Sequence, residues 1–233
     1  MNTINNYDKN KKGGPVVIVI DGEIGAGKTT LIKILKEEFE HKYNLNVCSI
    51  FEPVDKWCDI GALQMFYEDI DAKCYEFQTY TYTTRIIRTI EEYNKNPNAE
   101  IYLLERSILT DKYVFVEMLK DKMGLIRTKM YNEWCDLWKK LMPFEPSVIV
   151  YLDTDLYDSI SRVKIRNREE EQGAVDEKYQ YELKKAHLHF IDNVEYPTYK
   201  INPELMSKNF ILDMDARNEI VNTFYNLYRN LKD

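Results

Sequence analysis

Gly22-Glu23-Ile24-Gly25-Ala26-Gly27-Lys28-Thr29 fits the pattern GxxxxGK[ST], and the chemistry that pattern serves is phosphate binding. Glycines let backbone N–H groups turn inward around phosphate oxygens. The lysine reaches the β- and γ-phosphates, and the threonine hydroxyl holds Mg²⁺. Thr30 follows in the same first helical turn. Glu23 adds a negative charge inside the loop, so its side chain is expected to turn away from the phosphates. Alone, the motif predicts a nucleoside triphosphate and does not separate kinases, switches and motors.

Further along, other groups of residues are capable of chemistry. Glu52-Pro53-Val54 precedes Trp57. A Glu at a strand end, facing the phosphate loop, accepts the proton of an attacking hydroxyl or orients it; in isolation it reads as readily as a solvated surface residue. Phe77-Gln78 is followed by Arg85, about two helical turns on, so Gln78 and Arg85 share a face. Glu105-Arg106-Ser107 precedes Asp111 and Phe115. Arg162 and Arg166 share a face by i,i+4 spacing, and Arg168 and Glu171-Gln172-Gly173 come next. Without context, such arginines form a solvated helix face and such aromatics form core.

These residues need a scaffold. Residues 16–20 form a continuous apolar run between turn residues, which predicts a strand buried on both faces, hence parallel and central. A helix is expected over 28–41 and a second strand over 46–51. Helical spacing continues over 59–70 and 75–93, and 94–98 breaks it. Short apolar runs at 101–104, 147–152 and 210–212 supply three more strands. The alternation predicts βαβ units, a parallel sheet with helices on both faces. Asp21-Gly22, Glu52-Pro53, Glu105-Arg106-Ser107 and Asp153 follow four of the runs, at the strand edge where open α/β sheets hold ligands.

Bulk properties narrow the classes. The 233 residues, 44% hydrophobic, suit one domain over 15–233 behind an Asn/Lys-rich, disordered tail over 1–14. A formal charge of -7 argues against a nucleic-acid partner, which needs clustered Lys and Arg. No apolar run reaches membrane-span length, and no protein partner is evident. The four cysteines lack a CxxC pair, so zinc is not expected; they read as reduced thiols in a cytosol-like compartment. A tail without Arg makes a poor mitochondrial presequence, so a cytoplasmic location is expected over a mitochondrial one.

Taken in order, the phosphate loop, EPV with Trp57, Phe77-Gln78 with Arg85, Glu105-Arg106-Ser107 with Asp111, and the arginine cluster leading into Glu171-Gln172-Gly173 resemble the deoxyribonucleoside kinase family. That family includes deoxycytidine, deoxyguanosine, mitochondrial thymidine and insect multi-substrate kinases. The resemblance runs from Val16 to Asp215. It implies a P-loop kinase fold, a three-layer α/β/α arrangement with a five-stranded parallel sheet and an arginine-rich LID. It also implies ATP and Mg²⁺, phosphorylation of a deoxyribonucleoside 5′-hydroxyl, a homodimer and feedback by the end-product triphosphate.

The resemblance further implies Glu52 as general base with Arg106 beside it. Glu105 would hold Mg²⁺ with Thr29, and both carboxylates are catalytic candidates. Arg162, Arg166 and Arg168 would close on the phosphates. Tyr67 and Glu171 would bind the 3′-hydroxyl, with Tyr67 crowding a 2′-hydroxyl. Trp57, Phe66, Phe77 and Phe115 would enclose the base, and Gln78 would pair with its edge. Arg85 and Asp111 fill the room that a thymine methyl needs, which favours deoxyadenosine, deoxyguanosine or deoxycytidine over thymidine. Phe66 stands where deoxycytidine kinase-like members have Met, and alignment at Tyr179 needs an extra residue. The stretch 213–218, after the last expected strand, would contact adenine through its backbone. Two rivals share the fold: a nucleoside monophosphate kinase that drafts Arg85 for the acceptor's phosphate, and a non-catalytic subunit like one in a respiratory complex. Against the second, Lys28, Glu52, Arg106 and the LID arginines are all present.

Overall fold

The computed structural model describes residues 14–232; the tail expected over 1–14 lies outside them apart from Gly14. Five strands, β1 (Val16–Asp21), β2 (Val47–Ile50), β3 (Ile101–Glu105), β4 (Val148–Leu152) and β5 (Thr198–Ile201), pair in the order β2-β3-β1-β4-β5. All four pairings are parallel. α1 (Lys28–Tyr43) leaves β1 through the phosphate loop. α2 (Val54–Asp59), α3 (Ala62–Glu68) and α4 (Ile70–Lys95) separate β2 from β3. α5 (Ile108–Thr110), a π-helical stretch (Asp111–Val116) and α6 (Glu117–Lys139) lead to β4. α7 (Leu156–Arg166), a 3₁₀ turn (Glu169–Glu171) and α8 (Glu177–Asn193) lead to β5, and α9 (Pro203–Met206) and α10 (Met214–Lys232) complete the chain.

Every β1 residue is buried, as its apolar run requires. The period-2 alternation of a strand sends Ile18 and Ile20 to one face, against Leu31, Leu35 and Phe224, and Val17 and Val19 to the other, against Tyr102, Tyr151 and Leu183. A third cluster, with Trp57, Phe66, Phe77, Tyr82 and Tyr131, lies among the helices. The helix expected over 59–70 is the shorter α3, set off from α2 and α4 at both ends. Gly61 takes φ 70 ahead of α3, and the Asp69 side chain caps α4 by accepting from the Ala72 amide at 3.0 Å.

The fifth strand lies elsewhere than expected. Residues 210–212 form a turn, with Ile211 and Leu212 exposed. The strand is Thr198–Ile201, in which only Ile201 is buried. It pairs with β4 alone at the sheet edge, and an edge strand facing water does not need an apolar run.

α7 rests directly on the phosphate loop. Gly25 has φ 86, and a Cβ there would sit 2.3 Å from the Ser159 carbonyl oxygen and 3.0 Å from Val163 Cγ2. Gly25→Ala combines a left-handed backbone with a backbone clash and is expected to cost about 3 kcal/mol. A urea titration reads this as a lowered midpoint; an unchanged midpoint would show that α7 does not seat on the loop.

Candidate active site

The phosphate loop ends on Lys28, whose buried ammonium donates to the Gly22 and Glu23 carbonyls at 3.0 and 2.7 Å. Burial lowers its pKa to about 8; Arg106 adds to the fall, against the pull of Glu52, Glu105 and Asp21. The Thr29 hydroxyl donates to Glu105 Oε1 at 2.7 Å, joining the first turn of α1 to the end of β3. Glu23 turns its carboxylate into the interior, where the Tyr151 hydroxyl donates to it.

Arg106 follows β3 with φ 60, a left-handed backbone uncommon for a residue with a Cβ and typical of strain held at a working site. Its Nη1 donates to both Glu52 oxygens at 3.1 and 2.9 Å, and its Nη2 to the Gly22 carbonyl at 3.0 Å. Arg85 enters from α4. It donates to Glu52 at 2.8 Å, to the Glu105 carbonyl at 3.0 Å, and through Nε and Nη2 to the two Asp111 oxygens at 2.7 and 3.0 Å. Burial would raise the Glu52 pKa, but Arg106, Arg85 and Lys28 bring it down to about 2. Burial would likewise loosen the Arg85 proton, but Asp111 and Glu52 hold it above its ordinary value. Two forked guanidiniums therefore aim one carboxylate at the loop, a fixity that a lysine point charge would not give.

Beyond Glu52 the walls become aromatic. Phe66 stacks on Phe77 at 4.5 Å between centroids, and Trp57 meets Phe77 edgewise at 5.8 Å while its indole N–H donates to Thr84 at 2.9 Å. Gln78 is buried, and its amide makes no hydrogen bond within the described residues, which leaves both ends available. A cavity of about 210 Å³ runs from Gly25, Lys28 and Thr29 past Glu52, Glu105 and Arg106 to Gln78, Arg85, Asp111 and Phe115. The π-helical turn puts Asp111 and Phe115 on its wall; such turns insert an extra residue and recur at functional sites.

Tyr67, Ile24, Arg166, Arg168, Glu171 and Tyr179 line the same cavity. Arg166 and Arg168 both donate to Glu171, whose carboxylate is almost wholly buried. The Tyr67 and Tyr179 rings meet edgewise at 6.4 Å. Arg162 lies apart. Its Nη2 donates to the Met206 carbonyl at 2.7 Å, and with Gly27, Thr30 and residues 206–211 it lines a second cleft across the loop. All of the segment 213–218 but its first residue lies in α10, so the chain between the true last strand and α10 is 202–213. Gly22, Glu23 and Ala26 line neither space; they shape the loop.

Some lining residues went unnoticed in the sequence. Thr81 lines the cavity between Gln78 and Arg85, and its i+3 spacing from Gln78 was a usable signal. Leu63 and Phe51 also line it, with no signal beyond being apolar.

A sequence model described as Deoxynucleoside kinase matches residues 18–229. A probable deoxycytidine kinase of fowlpox virus is 30% identical over 224 residues, covering 92% of this chain and 88% of the viral protein. Human deoxycytidine kinase is 27% identical over 241 residues, covering 93% of this chain and 89% of that enzyme. Human mitochondrial thymidine kinase 2 is 32% identical over 170 residues, 71% of this chain and 59% of that protein.

Proposed function

This chain belongs to the deoxynucleoside kinase family, and we propose that it transfers the γ-phosphoryl group of ATP to the 5′-hydroxyl of deoxycytidine, deoxyadenosine or deoxyguanosine in preference to thymidine. One observation carries the proposal: Glu52, held by Arg85 and Arg106, sits in one cavity between the phosphate loop and the aromatic chamber. That geometry supports Glu52 as the acceptor for a sugar hydroxyl lying between a phosphate and a base.

The parts divide as follows. Phe66, Phe77, Trp57 and Phe115 enclose the base, and Gln78 offers its free amide to the base edge. Tyr67 and Glu171 receive the 3′-hydroxyl. Glu52 orients the 5′-hydroxyl and accepts its proton as the bond to phosphorus forms. Lys28, Arg162, Arg166 and Arg168 neutralise phosphate oxygens. In a loose phosphoryl-transfer transition state, positioning and charge stabilisation supply most of the catalysis. Thr29 and Glu105 set two hard oxygen donors side by side at 2.7 Å, which suits Mg²⁺; the ion, when bound, would neutralise charge on the phosphate oxygens. The second cleft, beside Arg162, is assigned to the donor's base.

The comparisons bring both deoxycytidine and thymidine kinases as relatives. The Arg85–Asp111 pair favours the former, because it fills the wall that a thymine methyl would need and presents charge to an exocyclic amine. Homodimerisation and nucleotide salvage in the cytoplasm belong to the same proposal. Exposed Met130, Leu137 and Leu141 along and just after α6 support a dimer. No helix among the described residues is long and apolar enough to cross a membrane.

An acceptor panel with ATP and Mg²⁺ tests the proposal. Deoxycytidine and the purine deoxynucleosides are expected to be phosphorylated well, thymidine poorly and the 5′-monophosphates not at all. Faster turnover of any monophosphate than of every nucleoside would sink it.

A further inference from the structure

Beneath the phosphate loop lies a polar cluster that none of the roles above uses. His187 of α8 is wholly buried. Its Nδ1 stands 2.9 Å from the Leu183 carbonyl oxygen and its Nε2 3.0 Å from Asp21 Oδ1. Both neighbours are acceptors. Both Asp21 oxygens already accept from other donors, the Gly22 amide and the Thr110 hydroxyl, with Arg106 Nε close by, so Asp21 is held as an acceptor and has no proton to offer. A neutral imidazole carries one N–H and satisfies one acceptor; the doubly protonated ring satisfies both.

The surrounding charges favour the same state. Asp21, Glu23, Glu52, Glu105 and Asp111 stand near Lys28, Arg85 and Arg106, five acidic side chains against three basic ones. A cationic His187 narrows that imbalance in a region where unpaired charge is costly. One ring packed on it suits a cation: Tyr151 of β4, which donates to Glu23, stacks on His187 at 5.9 Å.

Asp21 is where the charge acts. Its Oδ1 accepts the Gly22 amide at 2.8 Å, its Oδ2 accepts the Thr110 hydroxyl at 2.6 Å, and Arg106 Nε lies 3.7 Å from Oδ1. One carboxylate thus ties the mouth of the phosphate loop, the left-handed Arg106 and the turn that carries Asp111. We propose that His187, as an imidazolium, is a positioning residue for phosphoryl transfer: it fixes the ionised Asp21, which in turn holds Arg106 and Gly22 around Glu52. The role depends on the assignment of Glu52 and Arg106 given above.

Two measurements test it. In the wild-type enzyme labelled with ¹⁵N-histidine, the His187 ring at neutral pH is expected to carry a proton on each nitrogen. His187→Gln keeps a donor for Asp21 without the charge; kcat is expected to fall roughly tenfold, about 1.4 kcal/mol, while the KM values for nucleoside and ATP stay within about threefold. Asp21→Asn combined with His187→Gln is expected to cost less than the sum of the two single changes, since the two residues share one contact. A bare ring nitrogen at neutral pH overturns the proposal, and so does a folded His187→Gln variant with wild-type kcat. Should that variant not fold, the wild-type ring spectrum decides alone. An active His187→Gln beside an inactive Glu52→Gln removes the role of His187 and leaves the kinase assignment standing. An active Glu52→Gln removes the base assignment, and the ring spectrum still reads out the charge on His187.

Discussion

Glu52→Gln is expected to lower kcat by roughly 10²–10⁴-fold, with a much smaller change in the nucleoside KM. Gln keeps the shape and can still accept a hydrogen bond from the 5′-hydroxyl, so binding survives. It cannot take the proton, and it removes the negative charge that two buried guanidiniums enclose. Steady-state kinetics with saturating ATP, beside a thermal melt to confirm folding, separate a chemical defect from a folding one. Turnover equal to wild type would break the assignment. The Glu52 pKa of about 2 also fixes a pH dependence. The folded value lies below the ordinary 4.5, so the stability that Glu52 contributes is fully present above about pH 4.5. It is lost as pH falls through about 2. No acid limb in the rate is therefore assigned to Glu52 near neutrality. So depressed a carboxylate is a weak base in the free enzyme. In the proposed role the proton is therefore taken late, as the hydroxyl acidifies on bonding to phosphorus, which a loose transition state allows.

How much of this was legible beforehand depended on where each residue sits. β1 announced itself because burial on both faces leaves nothing but apolar residues. The phosphate loop did so because left-handed turns demand glycine at fixed spacing. Gln78 and Arg85 could be placed on one helix face because seven residues is close to two turns. β5 was missed for the opposite reason: Thr198, Tyr199 and Lys200 face water at an edge, so local composition carries no strand signal. The same error put the stretch expected just after the last strand at 213–218, whereas the chain that follows β5 starts at Asn202. The Asp21–His187 contact joins β1 to α8 across most of the chain. No local pattern reports such a pair, since only the folding of α8 under the loop brings the two together.

Arg85→Met combined with Asp111→Ala is expected to raise thymidine turnover relative to deoxycytidine and the purine deoxynucleosides by roughly 100-fold. The pair is buried, bidentate and at the cavity wall, so removing both members leaves apolar volume where the thymine methyl would fit. It also removes the charge that an exocyclic amine would meet. Removing one member is a different experiment. Asp111→Ala alone leaves a buried Arg85 with Glu52 as its remaining carboxylate and is expected to cost about 3–5 kcal/mol of stability. The double variant, in which no charge is stranded, is therefore expected to melt above the single one. Arg85→Met also frees Glu52 from one of its two guanidiniums, so absolute turnover on deoxycytidine is expected to fall; the selectivity is read as the ratio of kcat/KM values, in which that loss cancels. An unchanged ratio in a folded double variant would show that Arg85 and Asp111 do not meet the base. A double variant melting at or below Asp111→Ala would show that the two charges are not held as a mutually dependent pair.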